Sequence, residues 1–330
     1  MLRIHFTGKD LGRVRFTDGP EPMWEVLLGL HALNERGGGL VFDQWRRHVR
    51  RRLCAPARWL LALAPPRGYS PDFLTPGPGL RGGLEEDLDA VLATPRRRIG
   101  ADLARLAQRH PLPGPAAELA GGDRTALRTL GAAVRAFHAA ALAPFWDRIQ
   151  AEVHTDLTDR GGVLMHGGAE PALAGLPGAR WRPPTLEVPY PVERDLHLGG
   201  RGLRLVPAFF CRVRPVTLAD PELPPALVYP IEHDLAWFAP EPPSRSPGTL
   251  AALLGRSRAA VLTAIAARPA TTTQVARRIG VSMASASQHA TVLRNAGLIS
   301  TCRRGSRVVH TVTPAGAALA GCTAGSAAEQ

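Results

Sequence analysis

The fold of the C-terminal part of the chain is decided by residues 271–313, which read TTTQVARRIGVSMASASQHATVLRNAGLISTCRRGSRVVHTVT. The segment TQVARRIG predicts a short helix, because its apolar residues recur at helical spacing. Thr271 or Thr273 can cap the start of this helix, and Gly280 can adopt the left-handed conformation that ends it. We therefore expect a tight turn here that leads into a second helix.

The second helix is predicted from Met283 to Ala296, with Ser282 as its cap. Its inner side consists of Ala286, Ala290 and Leu293. Its outer side has an amide, short hydrogen-bonding groups and no acid, and is formed by Ser285, Ser287, Gln288, Thr291 and Arg294. Such a face favours close insertion into the major groove of double-stranded DNA.

Two alternating strands are predicted next, with their connection at residues 304–306. Arg303, Arg304 and Arg307 then lie at or near the tip of a hairpin, within reach of a phosphate or the minor groove. The flanking segments predict one long helix over Thr249–Ala267 and a final apolar helix over Pro314–Ala320. The hairpin is therefore interpreted as the wing of a winged helix-turn-helix.

The positive charge of the chain is concentrated in the same region. The formal net charge is +12, and residues 244–330 contribute +9 of it, with ten arginines and one acid. The rest of the chain carries only +3. This distribution is typical of a domain that neutralises phosphates.

Taken together and in this order, the two helices, the turn and the basic wing resemble the winged-helix domain of the ArsR family of bacterial repressors. The resemblance extends over about Leu250–Leu319. The residues that match the family motif are Ser287, His289, Leu293, Ala296, Gly297 and Leu298. The preceding part of the chain is similar to the long N-terminal extension, of unassigned role, that some actinobacterial members carry.

The resemblance implies a homodimer that forms through the first and last helices of the domain. The residues expected at this interface are Leu250, Leu253, Leu254 and Leu319. A two-fold symmetric dimer would read a pseudo-palindromic operator. The resemblance favours a repressor over an activator, and the direction of regulation stays open.

The resemblance and the patterns above give the set of residues expected to contact DNA. These residues are Thr273, Gln274, Ser282, Ala284, Ser285, Ser287, Gln288, His289, Thr291, Arg294, Arg303, Arg304 and Arg307. His289 is left open between reading a base, holding a phosphate and packing against the preceding helix. Arg277 and Arg278 are left open between phosphate contacts and solvated charges.

Metal sensing is common in the family, but the sequence departs from its metal-sensor patterns. The CxC-type thiolate pair is absent, and the final helix has no acid or His ligands. Cys302 and His310 are expected to face each other across the wing, where two ligands do not form a metal site. We therefore expect neither a metal nor a cofactor.

The whole chain is predicted to belong to the α+β class, with a C-terminal winged helix-turn-helix domain preceded by a mainly helical N-terminal domain that includes a small β-rich segment. The predicted divisions are a mainly helical region at 1–160, a β-rich segment at 161–238, a Pro/Ser linker at 239–248, the winged helix-turn-helix domain at 249–321 and a disordered tail at 322–330. The helical region includes predicted helices at Glu21–Leu33, at Phe42–Leu61 with a break or kink near Pro56, and at Asp123–Val153 with an interruption at Pro144. The β-rich segment predicts about two to four strands in one sheet.

The sequence leaves the role of the N-terminal domain open between dimerisation and the sensing of a small-molecule effector. Aromatic surface that could line an effector pocket is concentrated there, in Trp24, Trp45, Trp59, Trp146 and Trp181. An alternative is an enzyme whose N-terminal domain is catalytic, for instance through Glu232, His233 and Asp234. In that case the winged helix would serve only to localise the enzyme. No HExxH, GxSxG, GxGxxG or P-loop pattern accompanies these residues, so we expect no enzyme.

The expected location is the cytoplasm. The segment MLRIHFTGKD lacks a basic region followed by an apolar stretch, and no apolar run is long enough to span a membrane. We therefore expect neither a signal peptide nor a membrane partner.

Overall fold

The computed structural model describes residues 1–35, 40–65, 68–75, 77, 83–212, 214–233, 237–238, 247–304 and 307–320. The chain divides into two compact units, Met1–Phe238 and Ala239–Gln330. The first unit is mainly helical with two sheets, and the second has a helix-turn-helix followed by a small antiparallel sheet. The predicted α+β class is confirmed. In the described part of the chain, no helix is both long and apolar enough to cross a membrane.

The helices of the first unit surround a single apolar core. They are α1 (Gly8–Leu11), α2 (Pro22–Asn34), α3 (Leu40–Arg52), α4 (Ala55–Arg58), α5 (Leu84–Leu92), α6 (Arg96–Ala107), α7 (Gly114–Ala120), α8 (Arg124–Ala141), α9 (Trp146–Gly167) and α10 (Ala169–Ala174). Short 3-10 turns occupy Trp59–Leu63, Asp72–Leu74 and Ala143–Phe145. Trp45 of α3 is fully buried, and its indole Nε1 donates a 2.8 Å hydrogen bond to the carbonyl of Ala141 at the end of α8.

Two of the predicted helices are interrupted near the prolines where a break was expected. In the range Phe42–Leu61, α3 ends at Arg52 and Pro56 lies in the first turn of α4. A proline is well accommodated there, since the first turn of a helix has no internal partner for its N–H. In the range Asp123–Val153, Pro144 lies in the 3-10 turn between α8 and α9. Helix α9 continues past Gly161 to Gly167, so the helical part of this unit is longer than expected.

The strands of the first unit form two sheets, where the sequence predicts one. The strands are β1 (Leu2–His5), β2 (Arg15–Phe16), β3 (Arg180–Arg182), β4 (Thr185–Val188), β5 (Arg194–His197), β6 (Arg204–Ala208), β7 (Val216–Thr217) and β8 (Ala226–Pro230). Their orders are β3-β4-β1-β5 and β2-β6-β8-β7. The expectation of at most four strands confined to residues 161–238 is wrong, because the described part of this range has six strands, β3 to β8, and β1 and β2 join the sheets from the start of the chain.

Strand β1 lies in the middle of its sheet, antiparallel to β4 and parallel to β5. Ile4 is paired with Leu186 on one side and with Leu196 on the other, and Ile4 is fully buried. In the second sheet, every residue of β6 and of β8 is buried. Such strands are covered on both faces, which explains why they read as apolar runs rather than as alternating patterns.

The second unit contains five helices and a three-stranded antiparallel sheet within its described residues. The elements are α11 (Pro247–Leu254), α12 (Arg256–Ala267), β9 (Ala270–Thr271), α13 (Thr272–Ile279), α14 (Met283–Asn295), β10 (Ile299–Arg304), β11 (Arg307–Val312) and α15 (Pro314–Ala320). The core of this unit is built mainly from α12 and α14, with Val261, Leu262, Ile265, Ala286 and Leu293 at its centre.

The single helix expected over Thr249–Ala267 is instead two helices. Gly255 separates α11 from α12 and has a φ of +81°, a conformation that residues with a side chain rarely adopt. Helix α11 begins at Pro247, inside the range predicted as the linker. The rest of that linker and the predicted tail at 322–330 lie outside the described residues.

Candidate nucleic-acid interface

The helix-turn-helix begins with a capping box at the start of α13. The Thr271 hydroxyl accepts the Gln274 backbone N–H at 3.3 Å, and Gln274 Oε1 accepts the Thr271 N–H at 2.8 Å. Because the cap engages one lone pair of Gln274 Oε1, the amide nitrogen is the donor of this side chain that stays open to a ligand. The neighbouring Thr273 is exposed, and its hydroxyl lies 3.7 Å from the sulfur of Met283.

The turn between α13 and α14 has the predicted geometry. Gly280 adopts φ 71° and ψ 35°, the left-handed conformation that ends α13. The Ser282 hydroxyl accepts the backbone N–H of Ser285 at 3.1 Å and so caps α14. This cap holds the first turn of α14 at an exposed position, where Ser282, Met283 and Ala284 face solvent.

Helix α14 has the two faces that the sequence predicts. Ala286, Ala290 and Leu293 are buried and pack on the core of the unit. The exposed members of the opposite face are Ala284, Ser287, Gln288, Thr291 and Arg294, while Ser285 and His289 are half-buried. This arrangement leaves a row of hydroxyl, amide and guanidinium groups open to a ligand, and such groups pair with base edges and phosphates.

Two exposed apolar residues on α14 were missed by the sequence analysis. Met283 is 58% exposed and Val292 is 41% exposed. Apolar side chains on a recognition helix can contact the methyl group of thymine. Their exposure could have been inferred from the sequence, because Met283 and Val292 directly follow Ser282 and Thr291, which were expected to contact DNA.

Arginines dominate the charge of this unit. Residues 253–302 contain no Asp or Glu. Arg278 donates to the carbonyls of Ala264 and Arg268, both at 3.2 Å, and thereby ties α13 to the end of α12. Of the two arginines that the sequence left open, Arg278 therefore has a structural contact, and Arg277 is exposed.

The wing consists of β10 and β11, which are antiparallel with Ile299 opposite Val312 and Arg304 opposite Arg307. The hydroxyls of Ser300 and Thr311 form a 2.6 Å hydrogen bond across the two strands. The backbones of Arg303, Arg304 and Arg307 belong to these strands. The side chains of these three arginines, and the tip at residues 305–306, lie outside what the structure describes.

The expectation that Cys302 faces His310 is wrong. Cys302 lies opposite Val309, and Thr301 lies opposite His310, because the hairpin register differs by one residue from the one assumed. Adjacent residues of a strand point to opposite faces, so this shift separates the two side chains. Among the described residues, no cluster of three or more His, Cys, Asp or Glu side chains is arranged to hold a metal ion.

His310 instead connects the wing to the helix-turn-helix. It is only 6% exposed, and its Nδ1 and Nε2 lie 3.0 Å from the hydroxyls of Thr301 and Thr272, respectively. Burial lowers the pKa of His310, and the positive charge of Arg294 lowers it further. The imidazole therefore acts as a neutral hydrogen-bonding bridge between β11 and the start of α13.

Comparison with known proteins bears on the same region. Residues 253–302 match the HTH_20 helix-turn-helix domain family. The chain therefore carries an ArsR-like helix-turn-helix DNA-binding domain. The match runs from α11 into β10 and leaves the first unit unassigned. No curated protein and no solved structure gives a significant match to the chain.

The residues expected at a dimer interface have different environments within this unit. Leu253 is 68% exposed, whereas Leu254 and Leu319 are half-buried. Leu250 is only 6% exposed and belongs to the core of its own unit. An apolar groove of about 610 Å³ lies alongside α12, with Ala260, Ala264 and Ala267 in its wall.

The residues considered for catalysis are not grouped as a reactive cluster in the described part of the chain. His233 Nε2 lies 2.5 Å from the carbonyl oxygen of Phe209, and the ring of His233 packs against Phe42 and Phe209. Burial lowers the pKa of His233. Glu232 is exposed, and Asp234 lies outside the described residues.

Proposed function

We propose that the chain is a sequence-specific transcriptional regulator, acting as a repressor, that inserts α14 into the major groove and holds the flanking backbone with the arginines of its wing. The observation that carries the proposal is the exposed face of α14, which has Ser287, Gln288 and Thr291 in a row and no acid. An α-helix fits the major groove, and short polar side chains allow its backbone to approach the base edges.

The chemistry of this face supports base reading as well as phosphate binding. Gln288 is exposed, and a glutamine amide can form two hydrogen bonds with adenine in the major groove. The hydroxyls of Ser287 and Thr291 can each donate or accept, which suits several bases. The arginines provide attraction to the backbone that is independent of sequence.

Assembly as a homodimer is part of the same proposal. The exposed Leu253 and the groove beside α12 support it, because small residues such as Ala260 and Ala264 let a helix of a second copy approach closely. Two recognition helices related by two-fold symmetry would read half-sites separated by about one turn of DNA, roughly 34–36 Å. The first unit would contribute to dimerisation or sense an effector.

The test is fluorescence anisotropy of the full chain with duplexes that tile the region upstream of its own coding sequence. We expect one duplex to bind at nanomolar concentration and to resist competition by a random duplex. Weak and equal binding of every duplex would contradict sequence-specific regulation. A mass measurement of the specific complex should give two chains per duplex, and one chain per duplex would contradict the dimer.

A further inference from the structure

The first unit contains a cavity of about 750 Å³. Its wall is formed by one side of α2, by residues 68–75 and 190–191, and by residues 210–212 and 214–219. Sites for small molecules are typically clefts of about 300–1,000 Å³ lined by apolar and aromatic residues with a few polar groups. The volume of this cavity and its convergence of distant segments fit that description.

Aromatic residues line the cavity on several sides. They are Trp24 of α2, Tyr69, Tyr190 and Phe210. Trp24 is 4% exposed and Phe210 is 1% exposed, so the structure already holds both rings within the core. Aromatic rings contribute a large apolar area with preferred stacking geometries. This wall favours a ligand that is planar and aromatic.

The indole of Trp24 has an unused donor. Its Nε1 is buried and has no hydrogen-bond partner among the described residues, although the residue lines the cavity. A buried donor without an acceptor is unfavourable, and buried Trp N–H groups usually have a partner. A ligand in the cavity with a carbonyl or ether oxygen would supply this acceptor.

His31 and Ser70 provide a second polar point on the same wall. His31 Nε2 lies 2.8 Å from the Ser70 hydroxyl oxygen, and the imidazole also forms a hydrogen bond with the backbone of Pro65. Proline offers only a carbonyl, so the imidazole is the donor in its hydrogen bond with Pro65. Burial lowers the pKa of His31 to about 4, which keeps the ring neutral near pH 7.

The charged residues of the lining are already engaged or exposed. Glu35 and Arg212 form an ion pair with each other. Asp72 accepts the backbone N–H of Ala219 at 3.0 Å and that of Asp220 at 2.7 Å. Arg214, the other arginine of the described lining, is exposed to solvent. The charged side chains in the interior of the lining therefore already have partners, and a further charge buried among them would lack one, which favours an uncharged ligand.

We propose that this cavity is a binding site for an uncharged, planar aromatic small molecule that accepts a hydrogen bond from the Trp24 indole. The proposal deepens the effector-sensing role suggested for the first unit, and it rests on the proposed function only for the effect of the ligand on DNA binding. Binding itself can be measured without DNA.

The test is a titration of the full chain with Nile red, an uncharged planar dye with a carbonyl acceptor, followed by the increase in its fluorescence. We expect saturable binding of one dye per chain. Trp24→Phe keeps a ring and removes the donor, and should raise the Kd about 2- to 10-fold. Trp59→Phe is the matched control, because Trp59 Nε1 is also buried without a partner but Trp59 does not line the cavity; its Kd should equal that of the parent.

A second variant tests whether the dye binds in this cavity, because it fills part of the cavity volume. Ala32 is 1% exposed and lines the cavity, so Ala32→Phe should abolish saturable binding in a chain whose cooperative unfolding is retained. Absence of saturable binding by the parent, or equal Kd values for the parent and Trp24→Phe, would overturn the proposal. Tighter binding of an anionic naphthalene sulfonate dye would overturn the uncharged ligand class. A chain that binds Nile red as expected but no specific duplex contradicts only the proposed function.

Discussion

His310 in the wing and Thr272 at the start of α13 are joined by a hydrogen bond of 3.0 Å between Nε2 and Oγ1. The two residues are 38 positions apart in the chain, and His310 is buried at this junction. The contact connects the element expected to grip the DNA backbone to the element that positions α14. Loss of the imidazole should therefore affect both stability and DNA binding.

His310→Ala removes the bridge and leaves the hydroxyls of Thr272 and Thr301 without this partner. We expect a loss of about 1–3 kcal/mol in the free energy of unfolding, because a buried hydrogen-bonded group is removed. Thermal unfolding followed by circular dichroism checks this. Val308→Ala, at a position 43% exposed on the same strand, is the control and should change stability by less than about 0.5 kcal/mol. Equal effects of the two variants would contradict a specific role of His310.

Gln288→Ala should change the sequence preference of DNA binding. Gln288 is exposed on α14, where its amide can read a base, and loss of a bidentate pair reduces discrimination by about 1–3 kcal/mol. The measurement compares Kd values for the specific duplex and for its single-base variants. Asn295→Ala, at an exposed position at the end of α14, serves as the control. An unchanged preference would remove Gln288 from the residues that read bases.

Replacement of both Arg303 and Arg304 by Ala should weaken binding to specific and random duplexes to a similar extent. These residues belong to the wing, where we expect contacts with the backbone rather than with bases. Each lost phosphate contact should reduce the slope of log K against log salt by about 0.9. The matched control replaces Arg128 and Arg182, two exposed arginines of the first unit, and lowers the net charge equally. The same reduction of slope in the control would contradict a direct role of the wing.

Two carboxyl groups, the half-buried Glu21 just before α2 and the fully buried Glu25 within it, predict an unusual pH dependence of stability in the first unit. Glu25 accepts the backbone N–H groups of Phe209 and Phe210 at 2.7 and 3.0 Å, and Glu21 forms an ion pair with Arg204. Burial is the largest cause in both cases and raises the pKa of Glu21 and of Glu25 to about 7. Both groups thus retain protons in the folded chain that the unfolded chain releases.

The first unit should therefore lose stability as the pH rises from about 4.5 to 7 and beyond, because the folded state binds more protons than the unfolded state in this range. His31 acts in the opposite direction between its folded pKa of about 4 and its ordinary value of 6.5, so the effect is best read above pH 6.5. We expect a fall of about 1–2 kcal/mol between roughly pH 6.5 and 8.5.

Denaturant unfolding followed by tryptophan fluorescence measures this change, since all six tryptophans lie in the first unit. Glu21→Gln removes one of the two titrating groups and should reduce the loss in free energy of unfolding over this pH range to about half. Glu118→Gln, at an exposed position on α7, should leave this pH-dependent loss of stability unaltered. Stability that rises over this pH range would contradict the raised pKa values.

Local signals were sufficient for most of the second unit. The Thr271 cap, the left-handed Gly280 and the Ser282 cap each act within three or four residues, and all three have the predicted geometry. The inner face of α14 follows from helical spacing alone. Two local features were missed. A two-residue strand such as β9 is too short to show a sequence pattern, and the sequence around Gly255 does not indicate that this residue has a positive φ.

The sequence by itself therefore determined the helix-turn-helix, the polar face of α14, the basic charge of the second unit and the α+β class, because these depend on residues close together in the chain. Only the tertiary structure decided the position of β1 between β4 and β5, the register that separates Cys302 from His310 and the cavity beside Trp24. Each of these depends on contacts between distant segments, such as Ile4 with Leu186. Hydrophobic periodicity reports which face of an element is buried but not which distant partner buries it, so pairing and cavities emerge only when the chain is packed.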